Sequence, residues 1–383
     1  MKIAIMTQPL GKNYGGMIQA WALQQVLKRA GHEPVTIDRQ VDAKGPTYRT
    51  ARFGYRLLQK ISGKRNAPVN IERYFSEILQ HNYEFIRMHL SISERLDSTA
   101  RLKGHFELGQ YDAVIVGSDQ TWRPRYSPNI YNFFLDFLQG SDIKRIAYAS
   151  SFGVDRWEFT EEQTQRCIPL ARQFGAISVR ESSGVELCRK HLGVEATHVL
   201  DPTLLVKRQA YEALFEQKET PIRQGIYTYI LDQANWKDQV VETVKKALSK
   251  HQYSNQPKAS LSSLCSSNLE DYIMPRLEDW IKGFAEADFV ITDSFHGTLF
   301  SIIFNKPFIS LVNPSRGASR FYSILQELGL SNRLLNRYDS DAVAKILIEK
   351  IDYEDVNSRL DFLREEAGRF LKDALADQDV ASY

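Results

Sequence analysis

The sequence predicts an α/β protein of two lobes, each a parallel sheet with helices on both faces. Short apolar runs that end in small or polar residues alternate with helical stretches, and this series starts afresh near Gly225. The chain of 383 residues also exceeds the roughly 100–200 residues of a typical domain. We therefore expect two cores, with a cleft between them.

The first lobe begins with a strand-helix-strand unit. A strand is predicted over 2–7, and after it Ala20, Leu23 and Leu27 keep the spacing of one helix face up to Gly31, which is placed to end the helix. Later strands of this lobe are predicted at 34–37, 112–117, 145–150, 176–179 and 198–200.

The second lobe repeats the pattern after a crossover over 201–223, which Pro202 and Pro221 bracket. Its predicted elements are a strand at 225–231, a helix at 276–287, a strand at 288–292, a helix from Gly297 and a strand at 307–311. We expect two Rossmann-like lobes facing a central cleft: residues 1–205, on the acceptor side and with a basic segment at 44–65, and residues 206–383, on the donor side and ending in a helical tail.

Composition excludes several classes of protein. Apolar residues make up 43% and charged residues 25% of the chain, as in ordinary globular proteins, and a net charge of +2 argues against sequence-independent nucleic-acid binding. The three cysteines are widely spaced, so we expect no disulfide framework and no zinc site, and a reducing cytoplasm fits best. Neither a signal-peptide core nor an apolar run of about 18 residues is present.

Ligands of open parallel sheets bind at the carboxyl ends of the strands, so the segments that follow the strands are the candidate site. Five such segments carry polar or glycine residues: 13–16, 117–122, 180–182, 293–298 and 316–320. No group of His, Cys and Asp residues has the spacing of metal ligands, so no metal is predicted.

The first two segments fit a sugar. Gly15 and Gly16 let backbone N–H groups approach a ligand at a helix N-terminus, although a tight turn explains them equally well. The segment lacks the GxGxxG spacing of a dinucleotide site. Asp119 and Gln120 offer hydrogen bonds and Trp122 a ring for stacking, while the alternative for Asp119 is a helix cap.

The other three segments fit an anion. An arginine at a buried strand end, Arg180, needs an anion, which is either Glu181 or a ligand. His296 stands at a strand-to-helix turn, where the helix N-terminus binds anions and the imidazole exchanges a proton, unless the histidine is structural. Arg316 and Arg320 suit phosphate or carboxylate, with a solvated loop as the alternative.

The basic segment 44–65 has no acidic residue and interleaves aromatic and aliphatic residues with cations. Its seven basic residues are Lys44, Arg49, Arg52, Arg56, Lys60, Lys64 and Arg65. Such a segment is predicted to rest on an anionic membrane. The alternative is a basic surface loop.

Five motifs, taken in order, resemble the polysaccharide pyruvyl transferase family. They are Asn13-Tyr14-Gly15-Gly16, Val116 to Trp122, Val179-Arg180-Glu181-Ser182, Leu200-Asp201-Pro202-Thr203 and Ile291 to Thr298. The resemblance runs from residue 2 to about residue 335. It implies a fold similar to GT-B glycosyltransferases, and transfer of pyruvate from phosphoenolpyruvate onto two sugar hydroxyls as a cyclic ketal, in the synthesis of bacterial capsule or exopolysaccharide.

The resemblance also implies roles for single residues. Arg180 and His296 would contact phosphoenolpyruvate, in a donor site with Ser294 and Gly297. Some members carry arginine where this chain has Ser294, and Arg316 or Arg320 would replace that charge.

The ketal chemistry then asks for an acid and a base. His296 is the candidate acid, and Asp119 or Asp201 is the candidate base, although Asp201 before Pro202 would also cap a turn. The expected acceptor contacts are Asn13, Tyr14, Gly15, Asp119, Gln120 and Trp122.

The expected partners are phosphoenolpyruvate and a sugar acceptor, a lipid-linked oligosaccharide, with no cofactor and no nucleic acid. We expect a cytoplasmic protein that touches the inner face of the membrane. Two other functions use the same cleft: a glycosyltransferase with a nucleotide sugar, and a sugar-binding protein without turnover.

Overall fold

The computed structural model describes residues 1–65, 67–216, 223–259, 264, 268–312 and 317–376. Its first sheet has seven strands in the order β3-β2-β1-β4-β5-β6-β7, all paired in parallel. These strands are β1 Lys2–Met6, β2 Glu33–Arg39, β3 Ile92–Leu96, β4 Ala113–Val116, β5 Lys144–Ser150, β6 Ala176–Val179 and β7 Thr197–His198.

The second sheet has five parallel strands in the order β12-β11-β10-β8-β9. They are β8 Ile226–Tyr229, β9 Gln252–Tyr253, β10 Phe289–Thr292, β11 Phe308–Leu311 and β12 Leu334–Leu335. The predicted α/β class with two Rossmann-like lobes is therefore confirmed.

Helices cover the sheets. Those up to the end of the first sheet are α1 Tyr14–Arg29, α2 Pro46–Ile61, α3 Phe75–Ile78, α4 Gln80–His89, α5 Thr99–Gly109, α6 Glu161–Ala171 and α7 Ser182–Leu187. Those that follow are α8 Pro202–Leu205, α9 Arg208–Glu212, α10 Asn235–Leu248, α11 Leu277–Glu286, α12 Phe295–Ile303, α13 Ser319–Glu327, α14 Ser340–Ile348 and α15 Tyr353–Leu375. Across the described ranges, none of these helices is long and apolar enough to span a bilayer.

The structure adds elements that the sequence analysis did not predict. β3, β9 and β12 lie at sheet edges, where a strand is short or half exposed and its apolar signal is weak. The basic segment forms a helix, α2, so its interpretation as a loop is wrong. The helical tail is confirmed as α15.

One apolar core spans both lobes, and each lobe also has a core of its own. Helix α1 is almost fully buried because it lies between the sheets, and the Tyr14 ring contacts that of Trp280 with centroids 5.5 Å apart. The Tyr14 hydroxyl donates a hydrogen bond to the carbonyl of Pro275 in the other lobe. These contacts fix the start of α1 against the second lobe, at the edge of the cleft.

Helix α15 returns to the first lobe. Phe370 packs near Tyr148 of β5 with ring centroids 6.3 Å apart, and Arg364 Nε donates to the carbonyl of Leu204 at 2.6 Å. Lys144 Nζ reaches the carbonyl of Leu375 at 3.2 Å. The last helix therefore completes the packing of the first sheet.

Candidate active site

A cleft of about 800 Å³ lies at the carboxyl ends of both sheets. Loops after β1 and β4 form one wall, and the loop after β10 with the start of α13 forms the other. Seven predicted site residues line it, namely Asn13, Tyr14, Asp119, Gln120, Ser294, His296 and Arg320. The two lobes thus bring together segments far apart in the chain, at the place where parallel sheets bind ligands.

Arg180, directly after β6, is buried in an ion-pair network below this cleft. Its Nη1 lies 2.6 Å from Oδ2 of Asp201, and its Nη2 lies 3.5 Å from Oδ1 of Asp119. Glu181 acts on Arg180 only through its charge, because its Oε1 accepts two backbone N–H groups of the loop after β5, at 2.7 and 2.9 Å. The prediction that Arg180 pairs with Glu181 is therefore wrong. The carboxylates of Asp201 and Asp119 hold the guanidinium instead.

Asp201 connects this arginine to the histidine of the other lobe. The same Oδ2 lies 3.7 Å from Nε2 of His296, while Oδ1 accepts the backbone N–H and the hydroxyl of Thr203 at 3.0 and 2.7 Å. Burial alone would raise the pKa of Asp201, but His296 and Arg180 outweigh burial and hold that pKa well below its usual range.

The geometry decides between the two predicted roles of Asp201. The carboxylate caps α8, as one alternative proposed, and its two oxygens are occupied as described above. It is buried and is not among the residues that line the cleft. The prediction that Asp201 takes a proton from an acceptor hydroxyl is therefore wrong, and the carboxylate acts through its neighbours.

His296 sits in the first turn of α12. The Ser294 hydroxyl caps this helix by accepting the N–H of Gly297 at 3.3 Å. A Cβ on Gly297 would lie only 2.4 Å from Oγ1 of Thr292, so the turn requires glycine there. The helix begins at Phe295, two residues before the predicted start, which brings the imidazole to the edge of the cleft.

The imidazole packs against the first turn of α1 across the lobes. A Cβ on Gly15 would lie 2.1 Å from Nδ1 of His296, so only glycine leaves room for the ring. The Gly15 N–H already donates to Oδ1 of Asn13 at 3.0 Å, which caps α1. The prediction that Gly15 offers its N–H to an acceptor is thus wrong, and the residue instead determines where His296 lies.

A second arginine shares this end of the cleft. The guanidinium carbons of Arg180 and Arg320 each lie 4.9 Å from the centroid of the Phe295 ring. Burial, and then repulsion by Arg180, lower the pKa of Arg320 to about 10, so both groups are cationic at neutral pH. Of the two residues predicted to replace the arginine missing at Ser294, Arg320 lies here, and Arg316 falls outside the described residues.

The first-lobe wall keeps part of the predicted acceptor site. Asp119 has a φ of 73° and its Oδ1 accepts the N–H of Gln120 at 2.8 Å, so it caps a turn and not a helix. Gln120 borders the cleft with its amide oxygen bonded to Arg123 at 2.8 Å. Tyr14 borders it too, with its hydroxyl bonded to the second lobe.

Trp122 does not belong to the site. Its side chain is fully buried, its ring stacks on Phe134 with centroids 5.0 Å apart, and its Nε1 donates to the carbonyl of Phe133. The prediction that Trp122 stacks on an acceptor sugar is wrong. Aromatic residues do line the cleft, but they are Tyr14, Tyr126, Tyr229, Phe295 and Phe321.

Sequence reasoning missed two features of the site. Phe295 was not predicted as a site residue, although it is the ring that both arginines share. Lys237 pairs with Asp293 at 2.5 Å and holds the loop before α12. The aromatic residue inside a polar motif was a signal for Phe295, whereas the sequence carries no signal that joins Lys237 to Asp293.

Solved structures show the class of fold to which these lobes belong. S. aureus MnaA, in a co-structure with UDP, matches with a TM-score of 0.53 and 12% identity, covering 98% of this chain and 96% of that one. UDP-GlcNAc 2-epimerase from Methanocaldococcus jannaschii matches with a TM-score of 0.50 and 12% identity, over 92% and 93% of the two chains. The fold is GT-B-like, with two Rossmann-like lobes facing a cleft.

The sequence identifies the family. The model of the polysaccharide pyruvyl transferase family matches residues 13–315, which include all five resemblance motifs entirely. The chain therefore belongs to the polysaccharide pyruvyl transferase family. No curated protein matches the sequence.

Proposed function

We propose that this protein transfers the pyruvyl group of phosphoenolpyruvate onto two hydroxyls of a glycan sugar as a cyclic ketal. Family membership supports pyruvyl transfer. The observation that carries the choice of donor is the pair of buried guanidinium groups, Arg180 and Arg320, on one ring beside His296. Phosphoenolpyruvate has a carboxylate and a phosphate, which suit two cations, and a methylene carbon that must receive a proton.

The reaction balances with three proton movements. His296 gives a proton to the methylene carbon, which becomes a methyl group, and the first sugar hydroxyl bonds to the neighbouring carbon as it loses its proton. The bond between that carbon and the phosphate oxygen then breaks. The second hydroxyl bonds to the same carbon and loses its proton, leaving the ketal and inorganic phosphate.

The residues divide these tasks. Arg320 lines the cleft and is the first candidate for the departing phosphate, while Arg180 below it stabilises the anionic end of the donor. Asp119 lines the opposite wall and is the candidate base for an acceptor hydroxyl. Asp201 is a positioning residue, because its carboxylate faces Nε2 of His296 at 3.7 Å and orients the ring at the edge of the cleft.

The proposed reaction uses no cofactor, since addition to an enol ether is acid–base chemistry. Among the residues that the structure describes, no three His, Cys, Asp or Glu side chains are grouped to hold a metal ion. The test is to measure turnover after exhaustive chelation. Loss of activity that returns on adding one divalent metal would overturn this part of the proposal.

Calorimetric titration tests the donor. We expect phosphoenolpyruvate to bind with micromolar to millimolar affinity and UDP-sugars not to bind. With a glycan acceptor, turnover should release one phosphate for each gain of one pyruvyl ketal, seen by mass and by the methyl resonance. Binding of a nucleotide sugar instead would favour the glycosyltransferase alternative, and binding of glycan alone would favour a sugar-binding protein.

Substitution of Arg180 sharpens this test. Arg180→Lys keeps the charge but loses the planar fork that reaches Asp201 and Asp119 together, so we expect the apparent donor KM to rise at least tenfold. Arg123→Lys, in a buried pair with Glu158 outside the donor site, is the matched control. Unchanged donor saturation in Arg180→Lys would make the arginine purely structural.

The proposal extends to the acceptor and its location. We infer a lipid-linked oligosaccharide as acceptor, and a cytoplasmic enzyme held at the inner face of the membrane in the synthesis of capsule or exopolysaccharide. Helix α2, with its basic and apolar faces both exposed, supports the membrane contact.

A further inference from the structure

Helix α2 exposes an apolar face that no core includes. None of its residues is buried, and Tyr55, Leu58 and Ile61 are 63%, 67% and 74% exposed. Isolated exposed apolar residues are ordinary, but here they lie on one helix. At 100° per residue, the face that carries them runs from Phe53 through Leu57 to Tyr55, which is more than half of the circumference.

The remaining face of α2 is a strip of cations. Arg49, Arg52, Arg56 and Lys60 follow at intervals of three and four residues and therefore lie side by side. The helix contains no acidic residue. Glu72, outside the helix, pairs with Arg52 at 3.0 Å and with Arg56 at 2.9 Å, and Arg56 also donates to the carbonyl of Val69. One carboxylate therefore offsets part of the charge of the four cations, and the strip keeps a net positive charge.

We propose that α2 lies in the plane of an anionic lipid bilayer, with its apolar face among the acyl chains and its cations at the headgroups. A helix that is strongly amphipathic yet polar on average, with a basic polar face, binds interfaces in this way. A second copy of this helix fits less well, because four cations would meet four cations. The bilayer is thus the partner that satisfies charge and apolar surface together.

The contacts around Glu72 connect α2 to the mouth of the cleft. The ammonium of Lys12, a residue that lines the cleft, lies 4.0 Å from the ring centroid of Phe75. Phe75 follows Glu72 by one turn, and the Glu72 carboxylate acts electrostatically on Lys12 as well as on the arginines of α2. A membrane-bound α2 therefore holds this mouth close to the lipid surface.

The position of α2 near the cleft suggests how the acceptor reaches the site, an inference that rests on the proposed function. A sugar acceptor attached to a lipid carrier would enter the cleft from the membrane side, without leaving the bilayer. Membrane docking would then raise the local concentration of acceptor while leaving the donor site unchanged. Docking is expected to lower the KM for a lipid-linked acceptor and not the KM for phosphoenolpyruvate.

Vesicle sedimentation of the full chain tests the contact. We expect binding to phosphatidylglycerol-containing vesicles at low salt, strongly reduced at 0.5 M salt, and little binding to pure phosphatidylcholine. Replacing Arg49, Arg52, Arg56 and Lys60 by Gln should lower the partition coefficient on the order of 10²-fold or more. Binding that ignores lipid charge and salt would overturn the proposal.

Matched variants distinguish binding through the apolar face of α2 from non-specific adsorption of exposed apolar residues. Leu58→Ser with Ile61→Ser should release the protein from vesicles, whereas Leu108→Ser with Ile348→Ser, equally exposed but elsewhere, should not. In Tyr55→Trp, bilayer insertion should blue-shift the indole emission and let brominated lipids quench it. If the α2 variants change the oligomeric state in sedimentation velocity but not vesicle binding, α2 is a contact between copies and the proposal fails.

Two readouts keep this proposal distinct from the proposed reaction. The four-cation variant should keep its turnover of phosphoenolpyruvate on a soluble glycan, because α2 contributes no residue to the cleft lining. If the protein binds vesicles but shows no pyruvyl transfer, the reaction fails and the docking surface stands. If transfer occurs on lipid-linked acceptors with no vesicle binding, the docking surface fails alone.

Discussion

Two buried aspartates near the cleft, Asp293 and Asp201, both pair with a cation, but they have different roles. Asp293, after β10, is held within its own lobe by Lys237 Nζ at 2.5 Å and by the N–H groups of Leu231 and Asp232 at 2.6 and 3.1 Å. Asp201, in the crossover, is held by Arg180 in its own lobe and also faces His296 of the other. A buried carboxylate that reaches across the lobes influences the proposed chemistry, whereas one confined to its lobe stabilises a loop.

The largest effect should come from His296 itself. His296→Ala is expected to lower turnover about 10²–10⁴-fold while the protein still folds, because it removes the acid and a side chain at the edge of a cleft. Thermal melting checks the fold. His251→Ala, an exposed histidine of the same lobe, should keep full activity. A folded His296→Ala enzyme with normal turnover would remove the histidine from the mechanism.

Next in size is the pair of aspartates. Asp201→Asn should lower kcat on the order of 10²-fold in a folded enzyme, since it neutralises the carboxylate that faces the His296 imidazole. Asp293→Asn should instead lower the free energy of unfolding by about 3–5 kcal/mol and leave the kcat of the folded enzyme unchanged.

Ser118→Ala is the control for this comparison. It removes a neutral contact at 3.2 Å to the same oxygen of Asp201 without changing charge. Its kcat should match that of the unaltered enzyme. If all three variants lower kcat equally, the aspartates are equivalent and Asp201 has no special role towards His296.

A smaller loss of activity should follow from a variant that displaces the His296 imidazole without removing it. Gly15→Ala puts a methyl group 2.1 Å from the Nδ1 position, so the ring must shift, and a displacement of about 1 Å costs on the order of 10²-fold in rate. Gly16→Ala is matched, because its new methyl group would meet Oδ2 of Asp119 at an ordinary 3.5 Å. Equal activities in the two variants would show that the ring position is unimportant.

The smallest effect concerns a third contact between the lobes, at the cleft's outer side. His198 Nδ1 lies 2.9 Å from Oε1 of Glu327. Burial alone would lower the pKa of His198, but Glu327 and the Arg180 carbonyl raise it. The stabilisation is therefore fully present below the unfolded pKa of 6.5 and is lost as pH rises through the raised folded value.

Melting temperatures across pH test that sign. The free energy of unfolding of the unaltered protein should exceed that of Glu327→Gln by about 0.5–1 kcal/mol near pH 5.5. This difference should fall to zero towards pH 9. Glu366→Gln, which removes the exposed partner of Arg369, should show no such pH dependence. A gap that widens with rising pH would mean that the pair does not depend on the charged imidazole.

The sequence was sufficient for the strands that cross the middle of each sheet. In β4 and β10 every residue is buried, because both faces are covered by helices, and such runs are readable from composition alone. β3 was missed because Ser93, Glu94 and Arg95 give an edge strand a polar pattern. Helix α2 was not predicted as a helix, because the segment was interpreted from its basic residues and not from the spacing of its apolar residues.

The site was predictable in its segments but not in its contacts. His296, Arg180 and Asp119 were predicted from their positions after strands, where the fold places ligand-binding groups. Gly15 leaves room for the imidazole, and Asp201 faces it. Both contacts depend on how the two lobes pack against each other, and no local sequence pattern predicts this packing. Trp122 misled for the same reason, because a sequence does not tell which side of a loop faces the core.

The return of α15 to the first sheet has a consequence for how the protein is made. During synthesis the first lobe leaves the ribosome before the second, yet the Phe370 and Arg364 contacts that complete its packing are made only after the second lobe has been synthesised. Until then the face of β5 beside Tyr148 lacks these contacts. Separating the chain near residue 205 would therefore leave the first lobe without the helix that completes its packing.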